Sequence, residues 1–274
     1  MKNYIISILV CLPLLAGEEP LYQQDPESAY ELSSKLDFSI IVLSTALNLS
    51  SFMLEKKVES LTIEEINQLN INDVWAFEQK ITENWDMKSK LASDVFLYAS
   101  IFNPVLLYLK KDIRNDVIPI STIWLETMTL NLGITNLTKT LVLRKRPYVY
   151  GNRADLIEKQ KHDSQRSFFS GHTSTTAASW FMLAKIYQDY YPKDKNLIYI
   201  WTLSTIVPAI TAYLRVKAGK HFYTDVVTGY LIGAATGLAL PELHKNNNRL
   251  RPGVAMFPNG QFGVGIRFLL NSDF

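Results

Sequence analysis

Long apolar stretches separated by polar segments make up most of this chain. Six of them have the length and pattern of helices, and several carry scattered polar residues; they are 37–54, 92–109, 115–143, 173–190, 196–214 and 224–241. Pro147, Pro192 and Pro241 stand where the helical patterns stop, as expected for a residue that terminates helices. The pattern predicts a helical protein built on six apolar helices.

Two segments depart from this pattern. The polar residues 55–91 contain Thr62 and Glu65 spaced as a capping box, and then aromatic and apolar residues at helix-like intervals over 75–85. We expect two short amphipathic helices there, packed on the core. Near the C-terminus, apolar residues alternate on both sides of the Pro-Asn-Gly sequence at 258–260. This alternation predicts a β-hairpin laid against the helical body.

The N-terminal residues 1–17 have the layout of a secretory signal peptide. Lys2 precedes an apolar run that ends in the small residues Ala16 and Gly17. We expect cleavage, with an uncleaved N-terminal anchor as the alternative. Cys11 is the only cysteine and lies inside this run, so the mature chain would carry no thiol.

Composition narrows the function classes. The 274 residues are 47% apolar and 20% charged, with a formal net charge of +2. The chain can therefore bury a full core, and it lacks the basic excess that would indicate a nucleic-acid partner. Its mean hydropathy of +0.02 is high for a soluble enzyme and low for a protein made mostly of membrane spans.

The first chemically interesting stretch is the sequence KTLVLRKRP at 139–147. Lys139 and Arg146 are seven residues apart, so on one continuous helix they would lie two turns apart on nearly the same face. Pro147 would then end the helix beside Arg146. Two cations on one face suit a doubly charged anion. The alternative is a solvated basic helix end that interacts with the helix dipole.

The second stretch is Ser170-Gly171-His172, just before a helix expected to start near Thr173. A helix N-terminus presents unpaired N–H groups, glycine allows close approach of an anion, and the serine adds a hydroxyl donor. His172 could then reach over the bound anion. The alternative is that Ser170 or Thr173 is only an N-cap and that His172 is incidental.

The third stretch contains Arg215, His221 and Asp225. A carboxylate near a histidine can hold one ring nitrogen, fix the tautomer and leave the other nitrogen free for attack. The alternative is a loop with a helix-capping aspartate and a surface histidine. His162 and His244 fall outside the three stretches, and we interpret them as ordinary surface residues.

Together, the patterns K-x6-R-P, S-G-H and R-x5-H-x3-D occur in order, each at a predicted helix end. Over residues 92 to 244 the chain therefore resembles the type 2 phosphatidic-acid phosphatase / vanadium haloperoxidase superfamily. The resemblance implies an all-α, six-helix-type bundle with its site at the helix ends. It also implies a catalytic core at 92–244, flanked by N-terminal helices at 18–91 and a C-terminal tail at 245–274.

The resemblance implies a role for each residue of the three stretches. His221 looks like a nucleophile that forms a phosphohistidine, Asp225 like its orienting partner, and His172 like the general acid and later base. Five residues look like an oxyanion cage: Lys139, Arg146, Ser170, Gly171 and Arg215. A phosphatase of this type needs no metal and no other cofactor, and its substrate carries a phosphomonoester or pyrophosphate, free or on a lipid.

Two positions depart from the family pattern. Phe169 replaces the usual proline before Ser-Gly-His, and Leu214 replaces the usual serine before Arg215. Neither change removes a charge or a proton carrier. The first loosens a turn that Phe168 and Phe169 could instead fix by packing, and the second could remove one hydrogen bond from the cage. Activity is therefore expected, whereas substrate specificity does not transfer.

Three function classes remain open. A phosphatase is favoured, a vanadium-dependent haloperoxidase would use the same anion cage, and a catalytically idle envelope scaffold conflicts with the complete set of site residues. If the chain is exported and all six helices cross a bilayer, the site faces the cytoplasm. The scattered polar residues instead favour a bundle folded on the exported side, in the periplasm or envelope, with membrane association open.

Overall fold

The computed structural model describes residues 28–246, 250–256 and 262–268. In this part of the chain there are ten α-helices: α1 Ser34–Glu55, α2 Ile63–Asn67, α3 Met87–Phe102, α4 Lys111–Asn115, α5 Val117–Val142, α6 Pro147–Tyr150, α7 Leu156–Lys159, α8 Gly171–Tyr190, α9 Leu197–Lys217 and α10 Tyr223–Leu243. Short 3-10 helices occupy Ile71–Asp73, Gln79–Glu83, Asn103–Leu109 and His162–Gln165.

The six long helices form a bundle around α8, which packs against α3, α5, α9 and α10, while α1 packs on α5. All six apolar helices predicted from the sequence are confirmed. The C-terminal ends of α1, α5 and α9 lie with the N-terminal ends of α3, α8 and α10; we call this the site end of the bundle. The other end, where α1 begins and α10 finishes, is the far end.

Close contact between α8 and α10 fixes two of the predicted site segments. Three glycines at four-residue intervals line the contact: Gly229, Gly233 and Gly237. A Cβ added at Gly233 would lie 2.0 Å from the carbonyl oxygen of Ser174, and one at Gly229 would lie 2.6 Å from that of Ser170. The backbones therefore touch, and the Ser170 amide donates a hydrogen bond to the Asp225 carbonyl at 3.0 Å.

The outer surface of the bundle is unusually apolar. In α1 the buried residues are Ile40, Ser44 and Ser51, whereas Phe38, Leu43, Leu49, Phe52 and Met53 are all more than half exposed. Five helical stretches of the described chain are long and apolar enough to cross a membrane: Ser34–Glu55, Met87–Leu109, Val117–Tyr150, Leu197–Lys217 and Tyr223–Leu243. Serines inside and large apolar side chains outside reverse the arrangement expected in water.

The region around Pro147 differs from its prediction. Helix α5 ends at Val142, because Leu143 adopts a left-handed conformation with φ 46°. Arg146 is extended and precedes the short helix α6. The prediction that Lys139 and Arg146 share one helical face is therefore wrong. Pro241 does not end α10 either, since the helix continues to Leu243.

The polar segment between α1 and α3 matches its prediction in part. Thr62 and Glu65 form the predicted capping box at the start of α2. The second expected α-helix is wrong, because the chain around Ile81 forms the 3-10 helix Gln79–Glu83. Ile81 is buried there, but Trp75 and Phe77 are about 60% exposed, so these aromatic residues do not mark a core-facing helical stripe.

The C-terminal tail contains two short strands. The backbones of β1, Leu250–Met256, and β2, Phe262–Phe268, pair antiparallel with Val254 opposite Val264. The predicted turn and all side chains of the tail lie outside the described residues, so the hairpin packed on the body stays a prediction and the fold class depends on the helices. The predicted signal segment 1–17, including Cys11, also lies outside the described residues.

Candidate active site

His221 lies in the short loop between α9 and α10 and is 1% exposed. Its Nδ1 is 2.8 Å from the carbonyl oxygen of Ser167, which can only accept, so Nδ1 carries a proton. Nε2 then carries the lone pair of the neutral ring, and Arg146 Nη1 donates a hydrogen bond to it at 3.1 Å. Burial, followed by the charges of Arg146 and Lys139, holds the pKa of His221 well below its usual range. The ring is therefore a neutral imidazole whose lone pair faces cations.

Asp225 supports this loop without a direct hydrogen bond to the imidazole. Its Oδ2 lies 3.7 Å from His221 Nδ1, and instead accepts from Ser167 Oγ at 2.5 Å and from the Phe222 amide at 2.8 Å. Arg144 Nη1 donates to Oδ1 at 2.6 Å. The predicted orienting role of Asp225 would thus act through Ser167 and Phe222, which fix the position of the ring.

Arg146 is buried and held from three sides. Its Nε and Nη2 donate to the carbonyl and carboxylate of Asp163, both at 2.8 Å, and Nη1 also donates to the Lys220 carbonyl at 2.8 Å. These bonds fix the guanidinium beside His221. Arg146 therefore reaches the site from an extended segment rather than from the end of α5.

Two further cations, Lys139 and Arg215, are buried at the same end. Lys139 Nζ donates to the carbonyl oxygen of Arg166 at 2.9 Å. Arg215 Nη1 lies 3.5 Å from Asp94 Oδ1, and its Nε has no hydrogen-bond partner in the described part of the chain. Asp94 Oδ1 contacts both Arg215 and His172, so Arg215 lies beside the second imidazole. Both positive charges also lower the pKa of His221.

The Ser170-Gly171-His172 segment forms the N-terminus of α8. Ser170 is the N-cap, and Gly171 is the first helical residue. A Cβ at Gly171 would lie 3.7 Å from Lys139 Cε and 3.1 Å from a methyl group of Thr135, so glycine allows Lys139 to approach the helix end. His172 Nε2 lies 2.8 Å from Asp94 Oδ1, and the ring is partly exposed.

All eight predicted site residues lie at the site end, but sequence reasoning missed several of their partners. These are Glu78, Asp94, Arg144, Asp163 and Ser167. Arg144 belonged to the basic run at 144–146, and Ser167 to the stretch before Ser-Gly-His. Glu78 and Asp94 gave no local signal, because only the fold brings the polar segment and α3 to this end.

The two histidines outside the three stretches differ from each other. His162 is partly exposed beside Glu55 and fits its interpretation. The interpretation of His244 as a surface residue is wrong, because it is 1% exposed at the end of α10. At the first departure from the family pattern, Phe169 is also 1% exposed and packs edge to face against Phe168, with 6.1 Å between ring centroids.

Three buried cations, one helix N-terminus and two imidazoles thus lie at one end of a helical bundle, and their charges and donors suit a tetrahedral oxyanion. The family model of the PAP2 superfamily matches residues 121–249, a little under half of the chain, so this part of the chain is similar to that superfamily. The matched part includes Lys139, His172 and His221.

Two curated proteins are similar to part of this chain. The chain is 23% identical to the lipid A 4'-phosphatase of Porphyromonas gingivalis over 133 residues. This alignment covers 48% of this chain and 53% of that protein. It is 32% identical over 75 residues to the phosphatidylglycerophosphatase B of Bacillus subtilis, which covers 26% of this chain and 36% of that protein. The chain thus spans about half or less of each relative's length, and no solved structure gives a significant match.

Proposed function

We propose that this protein is a membrane-embedded phosphatase that removes a phosphomonoester or pyrophosphate group from a lipid. The single observation that carries the proposal is the setting of His221, a buried imidazole whose Nδ1 donates to the Ser167 carbonyl and whose Nε2 accepts from Arg146 Nη1 at 3.1 Å. Such a nitrogen can attack phosphorus while the arginine holds the phosphoryl oxygens. Both curated relatives are named as phosphatases of lipids, which supports the same substrate class.

The reaction would proceed in two displacements. His221 Nε2 attacks phosphorus, the bond between phosphorus and the ester oxygen breaks, and the imidazolium form of His172 transfers a proton to that leaving oxygen. Burial, followed by the charge of Arg215, lowers the pKa of His172 to about 3 without an anion, so the negative charge of the bound phosphate must raise that pKa for this step. Water then enters, gives a proton to His172 and attacks the phosphohistidine, so that the P–N bond breaks and phosphate leaves. Nδ1 of His221 stays bonded to the Ser167 carbonyl in both steps, and this bond would keep the ring in one orientation.

The cage would stabilise the charge on the three equatorial oxygens. Lys139, Arg146 and Arg215 supply three positive charges, and the N-terminus of α8 adds N–H donors at Gly171. Side chains thus carry the charge neutralisation that other phosphoryl-transfer enzymes obtain from Mg²⁺. We infer that the chemical steps proceed without a metal ion.

A membrane location fits this substrate class. The apolar outer faces of the long helices, α1 above all, would contact acyl chains, while Ser44 and Ser51 of α1 face the bundle. A lipid substrate would then present its phosphate at the site end. Export through residues 1–17 and a periplasmic location remain predictions.

The experiment uses the full chain purified in detergent, with phosphatidate, an isoprenoid pyrophosphate and a chromogenic phosphomonoester as substrates in mixed micelles. We expect phosphate release in the presence of a chelator, and loss of about 10⁴-fold or more in His221→Ala. His172→Ala should accumulate ³²P-labelled protein whose label is acid-labile and absent from the His221→Ala, His172→Ala double variant.

His162→Ala is the matched control, because it removes an imidazole outside the site and should leave turnover unchanged. Full activity of His221→Ala, or label retained without His221, would refute the nucleophile role. The haloperoxidase alternative uses the same cage and remains a prediction; halide oxidation by vanadate-loaded protein would test it.

A further inference from the structure

The C-terminal end of α10 carries an imidazole that the proposed reaction does not use. His244 follows the last residue of α10 and is 1% exposed. Its Nδ1 lies 2.8 Å from the carbonyl oxygen of Leu240, so Nδ1 donates and Nε2 is the nitrogen left to bind a partner. The far end of the bundle therefore holds a second histidine whose tautomer is fixed by a backbone carbonyl.

Two carboxylates converge on Nε2, and that of Asp37 lies at hydrogen-bond distance. Asp37 Oδ1, from the first turn of α1, lies 3.0 Å from His244 Nε2, and Glu126 Oε2, from α5, lies 3.1 Å from it. One ligand atom from each of the three residues lies within 4.8 Å of the other two. The three residues come from α1, α5 and the end of α10, so the cluster joins three helices.

Glu126 shows that this cluster is incomplete. It is 4% exposed, and within the described chain neither of its carboxylate oxygens makes a hydrogen bond; Oε2 has only its ion-pair contact with His244. A buried carboxylate without such partners is costly. The charges do not balance either: two carboxylates and one imidazole sum to −2 with a neutral ring and to −1 with a protonated one.

We propose that Asp37, Glu126 and His244 bind a divalent transition-metal ion, with Zn²⁺ as the best fit. Imidazole nitrogen and carboxylate oxygen are both zinc ligands, at about 2.0–2.2 Å from the metal. In a tetrahedral site with such bonds, neighbouring ligand atoms lie roughly 3.3 Å apart. The observed separations of 3.0 and 3.1 Å between Nε2 and the two oxygens are close to that value. A +2 ion also neutralises the two carboxylates and leaves a fourth position open.

This site is distinct from the proposed catalytic site. Glu126 and Lys139 lie 13 positions apart on the same helix, which corresponds to about 20 Å along its axis. A metal at the far end would cross-link α1, α5 and α10 without contacting the phosphoryl group. Its binding should therefore raise thermal stability and leave the rate of the chemical step unchanged.

The test uses the full chain in detergent, stripped with a chelator and then titrated with Zn²⁺ by calorimetry and with Co²⁺ by absorption spectroscopy. We expect one high-affinity equivalent of Zn²⁺, the d–d bands of four-coordinate Co²⁺, and an apparent Tm that rises to saturation at one equivalent. Glu126→Gln keeps the shape of the side chain and should weaken binding by about 100-fold or more, because it removes a direct ligand. His244→Ala should abolish the Co²⁺ bands.

His162→Ala provides the matched control, since His162 lies 3.7 Å from a single carboxylate, that of Glu55, and should bind no metal of its own. Phosphatase activity of each variant at low temperature reports whether it is folded, and Asp37→Asn replaces His244→Ala if the latter fails to fold. Absence of Zn²⁺ binding by folded wild-type protein, or binding unaffected by Glu126→Gln and Asp37→Asn, would overturn the proposal and leave an ion-paired triad.

Discussion

The two ends of this bundle use the same histidine arrangement with opposite surroundings. His221 and His244 are both buried, and each donates Nδ1–H to a backbone carbonyl at 2.8 Å. The difference lies at Nε2. At the site end Nε2 faces Arg146, whereas at the far end it faces Asp37 and Glu126.

This comparison shows that charge around the free nitrogen decides what a fixed imidazole can bind. Cations around Nε2 favour the neutral ring and attract an anion, which suits attack on a phosphoryl group. Carboxylates around Nε2 attract a proton or a metal ion instead. The hydrogen bond from Nδ1 to a backbone carbonyl is common to both histidines, so the ligand preference of each end comes from the surrounding side chains.

Among changes to the surroundings of the two histidines, the largest expected effect comes from removing the cation that faces Nε2 of His221. Arg146→Met should lower kcat/KM by about 10²–10³-fold, because one fixed donor to the phosphoryl oxygens is lost. Initial rates with phosphatidate measure this effect. Arg146→Lys should recover only part of the activity, since lysine restores the charge but not the fork that spans Asp163, Lys220 and His221.

The neighbouring Lys145→Met serves as control, because Lys145 is not one of the residues of the proposed cage and should not affect turnover. Zn²⁺ binding at the far end should be equal in all three variants. A rate for Arg146→Met within a factor of two of the wild-type rate would break the contrast between the two ends.

A smaller loss is expected when the partner of the proposed acid is changed. Asp94→Asn keeps a side chain within reach of His172 but removes its charge, and we expect about 10²-fold lower turnover of phosphatidate. A chromogenic substrate with a good leaving group needs little protonation, so its rate should fall far less. Equal losses on both substrates would show that Asp94 acts on binding or folding rather than on proton transfer.

Much of the helical fold could be predicted from the sequence, because the six apolar stretches carry their own periodicity and length. The end of α5 before Arg146 could not be predicted, since no residue near Leu143 in the sequence indicates a left-handed conformation. The position of Pro241 relative to the end of α10 could not be predicted either, because a proline near a helix end can either follow the helix or lie within its last turn. Tertiary packing decided both cases.

The candidate site was accessible from the sequence for a different reason. Its residues lie in three short stretches with fixed spacing, such as Arg215, His221 and Asp225. The partners were hidden because they are contributed by segments far away in the chain: Asp94 lies 78 residues before His172. The burial of His244 could not be predicted from the sequence either, because nothing in its local sequence distinguishes it from a surface histidine.

The third prediction concerns the contact that holds the site segments together. Gly233→Ala should destabilise the protein by about 1–3 kcal/mol or more, because the new methyl group would meet the Ser174 carbonyl at 2.0 Å. The apparent Tm in detergent measures this. Ala235→Ser adds one atom on the exposed side of the same helix and should shift the Tm little. Equal Tm shifts in both variants would mean that α8 and α10 are not in backbone contact.

The smallest expected effect is on the pH dependence of activity. Because the pKa of His221 is held well below its usual range, the neutral nucleophile persists as the pH falls and is lost only below that lowered pKa. With the chromogenic substrate, for which proton donation matters little, kcat/KM should therefore show no decline attributable to His221 between about pH 7 and 5.5.

Arg146→Met tests the same pKa in the opposite direction. Burial and Lys139 still lower the pKa of His221, but one of the cations responsible is gone, so the pKa should rise towards its usual value. The acid limb of the profile should move up with it, even though the rate at neutral pH is already reduced. An acid limb that stays in place would mean that Arg146 does not control the charge at Nε2, and the contrast with His244 would then need a different physical cause.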